Sequence, residues 1–142
     1  MKKPTPPREM RWLVVPDHRL NIFKYSGDLD GMAISIRLRS FFSAHPKAIA
    51  HSSLNDLRNF TGTVTYKDMV SMAKMMLTFR PPGLSRKSIL LTRDHGAIYF
   101  AKFAQDIFQT SIAVHSEVED AYAAATGGAS MSSLTRRFMN GD

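Results

Sequence analysis

Apolar and polar positions along the chain follow two rhythms, and the switches between them mark out the elements. Residues 11–15 (RWLVV) and 20–27 (LNIFKYSG) predict two strands, and Pro16 and Asp17 between them favour a tight turn, so the pair predicts a hairpin. In the second strand Leu20, Ile22 and Lys24 fall on one face and Asn21, Phe23 and Tyr25 on the other, and Gly27 ends it. Residues 28–46 then take up helical spacing. Leu29, Met32, Ala33 and Ile36 form one stripe, and Ile34, Leu38, Phe41 and Phe42 widen it. Gly31 near the start weakens this helix by about 1 kcal/mol relative to Ala. Pro46 predicts its stop, because the residue before a proline disfavours helical backbone.

Residues 47–58 (KAIAHSSLNDLR) predict a third strand of unusual polarity. His51, Ser53 and Asn55 point to one face, and Ala50, Ser52 and Leu54 to the other. Parallel strands covered on both faces are normally near-continuous Val, Ile and Leu, so one face here is expected to be thinly covered. A second helix starts at Thr65, which stands in capping-box spacing with Asp68. Met69, Met72, Ala73, Met76 and Phe79 make its core stripe; Met75 lies off that stripe, and Arg80–Gly83 (RPPG) stops the helix. Residues 87–93 predict a short apolar strand, and 95–108 a helix capped by Asp94. That helix carries Ala97, Ile98, Phe100, Ala101, Ala104, Ile107 and Phe108, an apolar surface too wide for contact with a single layer. Residues 110–116 predict the fifth strand. Residues 117–125 predict a last helix, with Ser116 as N-cap and acidic residues in its first turn, ended by Gly127 and Gly128.

Strands alternating with helices predict an α/β fold with right-handed crossovers. The expectation is one mostly parallel five-stranded sheet with an antiparallel N-terminal edge hairpin and about four helices, mainly on one face. The 142 residues suit one domain, placed at 11–125. Residues 1–10, proline-rich and charged, are expected to be a disordered tail, and 126–142 a flexible C-terminal tail.

Composition adds exclusions. There is no cysteine, which removes disulfides, thiolate metal sites and cysteine nucleophiles. The lysines at the N-terminus are followed by prolines where a signal peptide needs an apolar helix, and no apolar run approaches the ~20 residues of a membrane span. A cytoplasmic protein is therefore expected. The net charge of +7 raises the question of nucleic acid. Lys2, Lys3, Arg8 and Arg11 against Glu9 place +3 in residues 1–11, and Arg136 and Arg137 against Asp142 place +1 in residues 126–142. The body of the chain keeps the other +3, and the loop around Arg80, Arg86 and Lys87 has no interleaved aromatics. Nucleic-acid binding is disfavoured.

The order of elements, and several stretches within it, resemble the STAS-like superfamily, named after the sporulation anti-sigma-factor antagonists, and within it an uncharacterised bacterial branch of single-domain proteins. The carriers are the strand ending at Gly27 before a helix, the strand ending NDLR at Asn55–Arg58, the helix TYKDMVSMAKMM, the unit RDHGAIYFAKFAQDIF, and IAVHSEVEDAYAAA. The resemblance covers roughly residues 12–125 and implies a regulatory or protein-interaction module. Regulatory members carry Asp-Ser-Ser-Gly, with its phosphorylated hydroxyl, at the helix after the third strand. The corresponding stretch here is NFTGTVTYKD, without that motif. No phosphorylation site carries over; Thr65 is the nearest position, and capping accounts for it.

Open α/β sheets bind ligands at the C-terminal ends of their strands. That edge is expected to gather Arg58, Asn59, Thr61, Arg93, His95 and His115, with Arg58 and Arg93 able to clamp an anion. The competing expectation is that Asp56, Asp28 or Asp94 pairs with these arginines. No metal set such as HExxH is present, and no nucleophile, base and orienting group stand out as a catalytic set. No cofactor is implied. A non-enzymatic interaction module, acting on a protein partner or a second copy as a dimer, is the first function class. A binder of a small anionic or apolar ligand at the strand ends or between helices and sheet is the second, and an enzyme the third.

Overall fold

The computed structural model describes residues 6–79 and 86–141. Residues 1–5 of the expected N-terminal tail and the helix stop at Arg80–Gly83 lie outside the described residues. The hairpin forms β1 (Glu9–Val15) and β2 (Leu20–Gly27), joined by a short 3-10 turn over Pro16–His18. There follow α1 (Gly31–Ala44), β3 (Ser52–Phe60), α2 (Tyr66–Leu77), β4 (Lys87–Leu91), α3 (Ala97–Phe108), β5 (Ser111–His115), α4 (Val118–Thr126) and α5 (Ser133–Met139). The sheet order is β1-β2-β3-β4-β5, antiparallel at the first pairing and parallel at the other three. Because each strand is added beside the last, crossovers of one hand put α1, α2 and α3 on the same face. Helices α4 and α5 cover the other.

Each face has its own core. Over the first, Phe23 of β2 meets Phe41 of α1 edge-on at 4.9 Å, and Ile34, Phe42 and Met72 complete the cluster. Over the second, Leu20, Ile22, Leu54, Ile89 and Leu91 pack on Ala121, Tyr122 and Ala125 of α4 and on Met131 and Met139.

The segment expected as a flexible tail is thus folded. Ser132 caps α5 by accepting from the Thr135 amide. Thr135 and Met139 are buried, and the Lys24 ammonium donates to the Phe138 carbonyl at 2.7 Å. A helix this short reads as loop by periodicity, and it holds because the sheet's apolar second face needs cover. The start of the domain also moves outward, since Glu9 and Met10 already belong to β1.

Three local expectations change. Residues 46–50 form a 3-10 turn, not strand, and β3 begins at Ser52 and runs on to Phe60. Pro46 opens that turn, Ala48 and Ile49 bury into the first core, and the Asn21 amide donates to the Ala48 carbonyl at 2.9 Å. Met75 is buried with Met69 and Met72, because α2 packs against both α1 and α3. The expected cap Ser116 gives way to Glu117, whose side chain makes no capping bond, and Asp94 instead accepts from the Gly96 amide two residues on. The Thr65–Asp68 capping box forms with both of its hydrogen bonds.

Candidate functional site

Alternation along β2, β3 and β4 sends Asn21, Phe23 and Tyr25, then Ser53, Asn55 and Leu57, then Ser88, Leu90 and Thr92 toward α1–α3. Two of the central residues, Ser53 and Ser88, are too short to reach the helices. Above them α3 offers Ala97 and Ala104, equally short. Between floor and roof lies a cavity of about 470 Å³, walled by Phe42, Leu57, Met69, Met72, Phe100 and Phe108 among others. Its size falls in the ~300–1,000 Å³ range of small-molecule sites, and so does its character of apolar walls with a few polar groups.

The polar floor is held by two sets of hydrogen bonds. The Tyr25 hydroxyl donates to Asn55 Oδ1 at 2.9 Å. Asn55 Nδ2 donates to Ser53 Oγ, Ser88 Oγ and the Ile89 carbonyl at 3.2, 3.1 and 3.3 Å. Ser53 Oγ donates to Ser88 Oγ at 3.2 Å. Asn21 Oδ1 takes a bond from His51 Nδ1 at 3.1 Å. No described side-chain nitrogen or oxygen is left buried without a partner. The floor therefore adds no cost of unpaired buried polar groups. Burial drives the Tyr25 phenol well above its ordinary pKa, which keeps it a neutral donor.

This accounts for the polar third strand differently from the sequence expectation. Its polar face is covered by helices; what it lacks is filling. Neither Asn21, Tyr25, Ser53, Asn55 nor Ser88 was among the expected site residues. The signal was present in the alternating Ser53 and Asn55, but alternation alone does not separate a solvated face from the floor of a chamber.

A second cavity, of about 600 Å³, lies at the C-terminal edge of the sheet. Here the β2–β3 register passes from Lys24 opposite Asp56 to Ser26 opposite Asn59, so β3 carries one extra residue. The bulge sets Arg58 over buried Asp56. Its Nε and Nη2 reach Asp56 Oδ1 and Oδ2 at 2.9 and 2.8 Å, and Nη2 also donates to the Met139 carbonyl at 2.8 Å. The hydrogen bond to Asp56 raises the Arg58 pKa further, against burial. Burial lowers Lys24, partly offset by Asp56.

Arg58, Asn59 and Arg93 are brought together in this rim cavity. Thr61, His95 and His115 are not. Thr61 is exposed, with its amide bonded to the Gly27 carbonyl. His95 is exposed before α3, and half-buried His115 ends β5 with its carbonyl accepting from the Thr92 amide. The expected pairing of Asp56 with Arg58 occurs, while Arg93 has no partner among the described residues. Among the described residues no group of three His, Asp or Glu could hold a metal ion. Arg86, expected in a solvated loop, lines the opposite end of the inner chamber and donates to the Ile49 carbonyl.

The fold can be set beside known structures. The chain is similar to an uncharacterised protein of the DUF3478 family from Shewanella loihica PV-4, which has a SpoIIAA-like fold. The TM-score is 0.63 over 88% of this chain and 98% of that one, at 12% identity. At that identity the likeness shows the architecture alone, a SpoIIAA-like fold. No family model matches the sequence, and no curated protein matches it. Among the described residues no helix is long and apolar enough to cross a membrane.

Proposed function

We propose that this protein is a binding module of STAS-like fold whose ligand is a small molecule held in the chamber between α1–α3 and the sheet. The observation that carries this is the chamber itself: about 470 Å³ of space with apolar walls over a self-satisfied polar floor. Apolar-walled clefts of that size with a few polar groups are where small molecules bind. Titration with a neutral naphthylamine dye tests it. Saturable binding is expected in the native chain and its loss in Ala104→Phe, with an unchanged circular dichroism spectrum. Dye binding that survives filling of the chamber overturns the reading.

A regulatory or protein-interaction role is the second reading. It is favoured by α3, which exposes Ile98, Tyr99 and Phe103 at 50, 69 and 62% while its other side roofs the chamber. A protein partner or a second copy would cover those rings. Sizing chromatography over a range of concentrations, native against Phe103→Ser, tests the second-copy form. The setting in which such a module is expected to act is the cytoplasm.

A further inference from the structure

Resting on the reading that the chamber holds a ligand, we infer that this ligand is an amphipathic anion. Its apolar body fills the chamber and its charged head lies at the rim beside Arg58 and Arg93.

Leu57, Phe60, Thr92 and Asp94 line both cavities. All four lie beyond the last β3–β4 pair, Asp56 with Leu91, so the apolar space between helices and sheet and the polar space at the strand ends adjoin where the two strands part. A charge cannot go into the apolar space, because burying an unpaired ion there costs too much. It must sit where the chamber opens.

At the rim the sign of that charge is set. Lys24, Arg58, Arg93 and Asp94 line the second cavity, and buried Asp56 lies against Arg58. Asp56 is neutralised by Arg58. Asp94 has Oδ1 engaged by the Gly96 amide. The balance is positive. Arg58 is also held in place: Nε and Nη2 are spent on Asp56 and the Met139 carbonyl, and Nη1 has no partner among the described residues. A guanidinium fixed in advance loses little freedom when it binds an anion. Arg93, exposed and unpaired among the described residues, is the second donor.

The test uses the full chain and four ten-carbon probes below their aggregation concentrations: decanoate, decyl phosphate, decanol and decylammonium. Each is measured by displacement of the neutral dye. The carboxylate and the phosphate are expected to bind about tenfold more tightly than the alcohol, as one partly exposed charge-assisted contact supplies. In Arg93→Gln that advantage should fall to about twofold or less with alcohol binding unchanged. Arg93 is exposed, so the variant should fold; Arg58 is not used, because removing it unpairs Asp56. Equal binding of acid and alcohol, tighter binding of the ammonium, or an advantage removed by Arg86→Gln and not by Arg93→Gln overturns this inference and leaves the chamber reading standing. Failure of all four probes to displace the bound dye also overturns this inference alone, whereas failure of the dye itself to bind removes both.

Discussion

Arg58 gives Asp56 three hydrogen bonds from two positions further along the same strand: one from its amide at 3.1 Å and two from its guanidinium. The carboxylate is 4% exposed and the guanidinium 28%. Arg58→Ala should therefore destabilise the protein by about 3 kcal/mol, the low end for a broken buried pair because the arginine is partly solvated. The double variant Asp56→Asn, Arg58→Gln should recover part of that loss. Urea unfolding measures both; an Arg58→Ala midpoint equal to the native one would show that the pair contributes nothing.

Met139 sits on the second core at 2% exposure and ends α5. Met139→Ala is expected to cost about 2–4 kcal/mol. Arg137→Ala, on the exposed side of the same helix, should stay within about 0.5 kcal/mol. Thermal melts of the two distinguish a structural helix from an attached tail. A tail would leave both melts alike.

Two close approaches decide the sign of glycine substitutions. A Cβ on Gly62 would lie 1.9 Å from the Leu29 carbonyl oxygen, which is backbone and cannot swing away. Gly62→Ala should cost about 3 kcal/mol. A Cβ on Gly31 would lie 2.3 Å from Asp68 Cγ, the side chain that completes the α2 capping box. Helix propensity alone predicts a gain of about 1 kcal/mol for Gly31→Ala. The contact predicts a net loss, and differential scanning calorimetry reads which one wins.

His51 supplies a pH dependence. Its pKa is lowered, first by burial and then by Arg19. The folded state thus prefers the neutral ring. The contribution is fully present above the unfolded value, about 6.5, and is lost as pH falls through the lower folded value. His51→Gln should flatten the melting temperature between pH 7.5 and pH 5 relative to the native chain. Identical slopes in the two proteins would mean that another group carries the dependence.

Much of this architecture was legible because local signals agreed with one another. Period-two alternation at Leu20–Tyr25, helical stripes at Met69–Met76 and the Thr65–Asp68 box each pointed to the element that forms. Two things were hidden. The helix at 133–139 has too few turns to show a stripe, and only the uncovered face of Leu20, Ile22 and Leu54 calls for it. The chamber depends on short side chains from β3, β4 and α3 meeting across layers, a coincidence between segments far apart in the chain. At the rim, Arg58, Asn59 and Arg93 line one cavity because they lie beyond the last β3–β4 pair of these neighbouring strands. Sequence spacing could not foresee that Thr61 turns to Gly27 or that the rings of His95 and His115 lie away from both cavities.

Since neighbours in the sheet are also neighbours along the chain, assembly during synthesis can proceed one strand at a time from the amino end. The closing contacts reach furthest back, among them Tyr122 to His18, Phe138 to Lys24 and Met139 to Arg58, spanning 104, 114 and 81 positions. A nascent chain therefore exposes the oily underside of its sheet until α4 and α5 have cleared the ribosome, and that interval is when it is most open to aggregation.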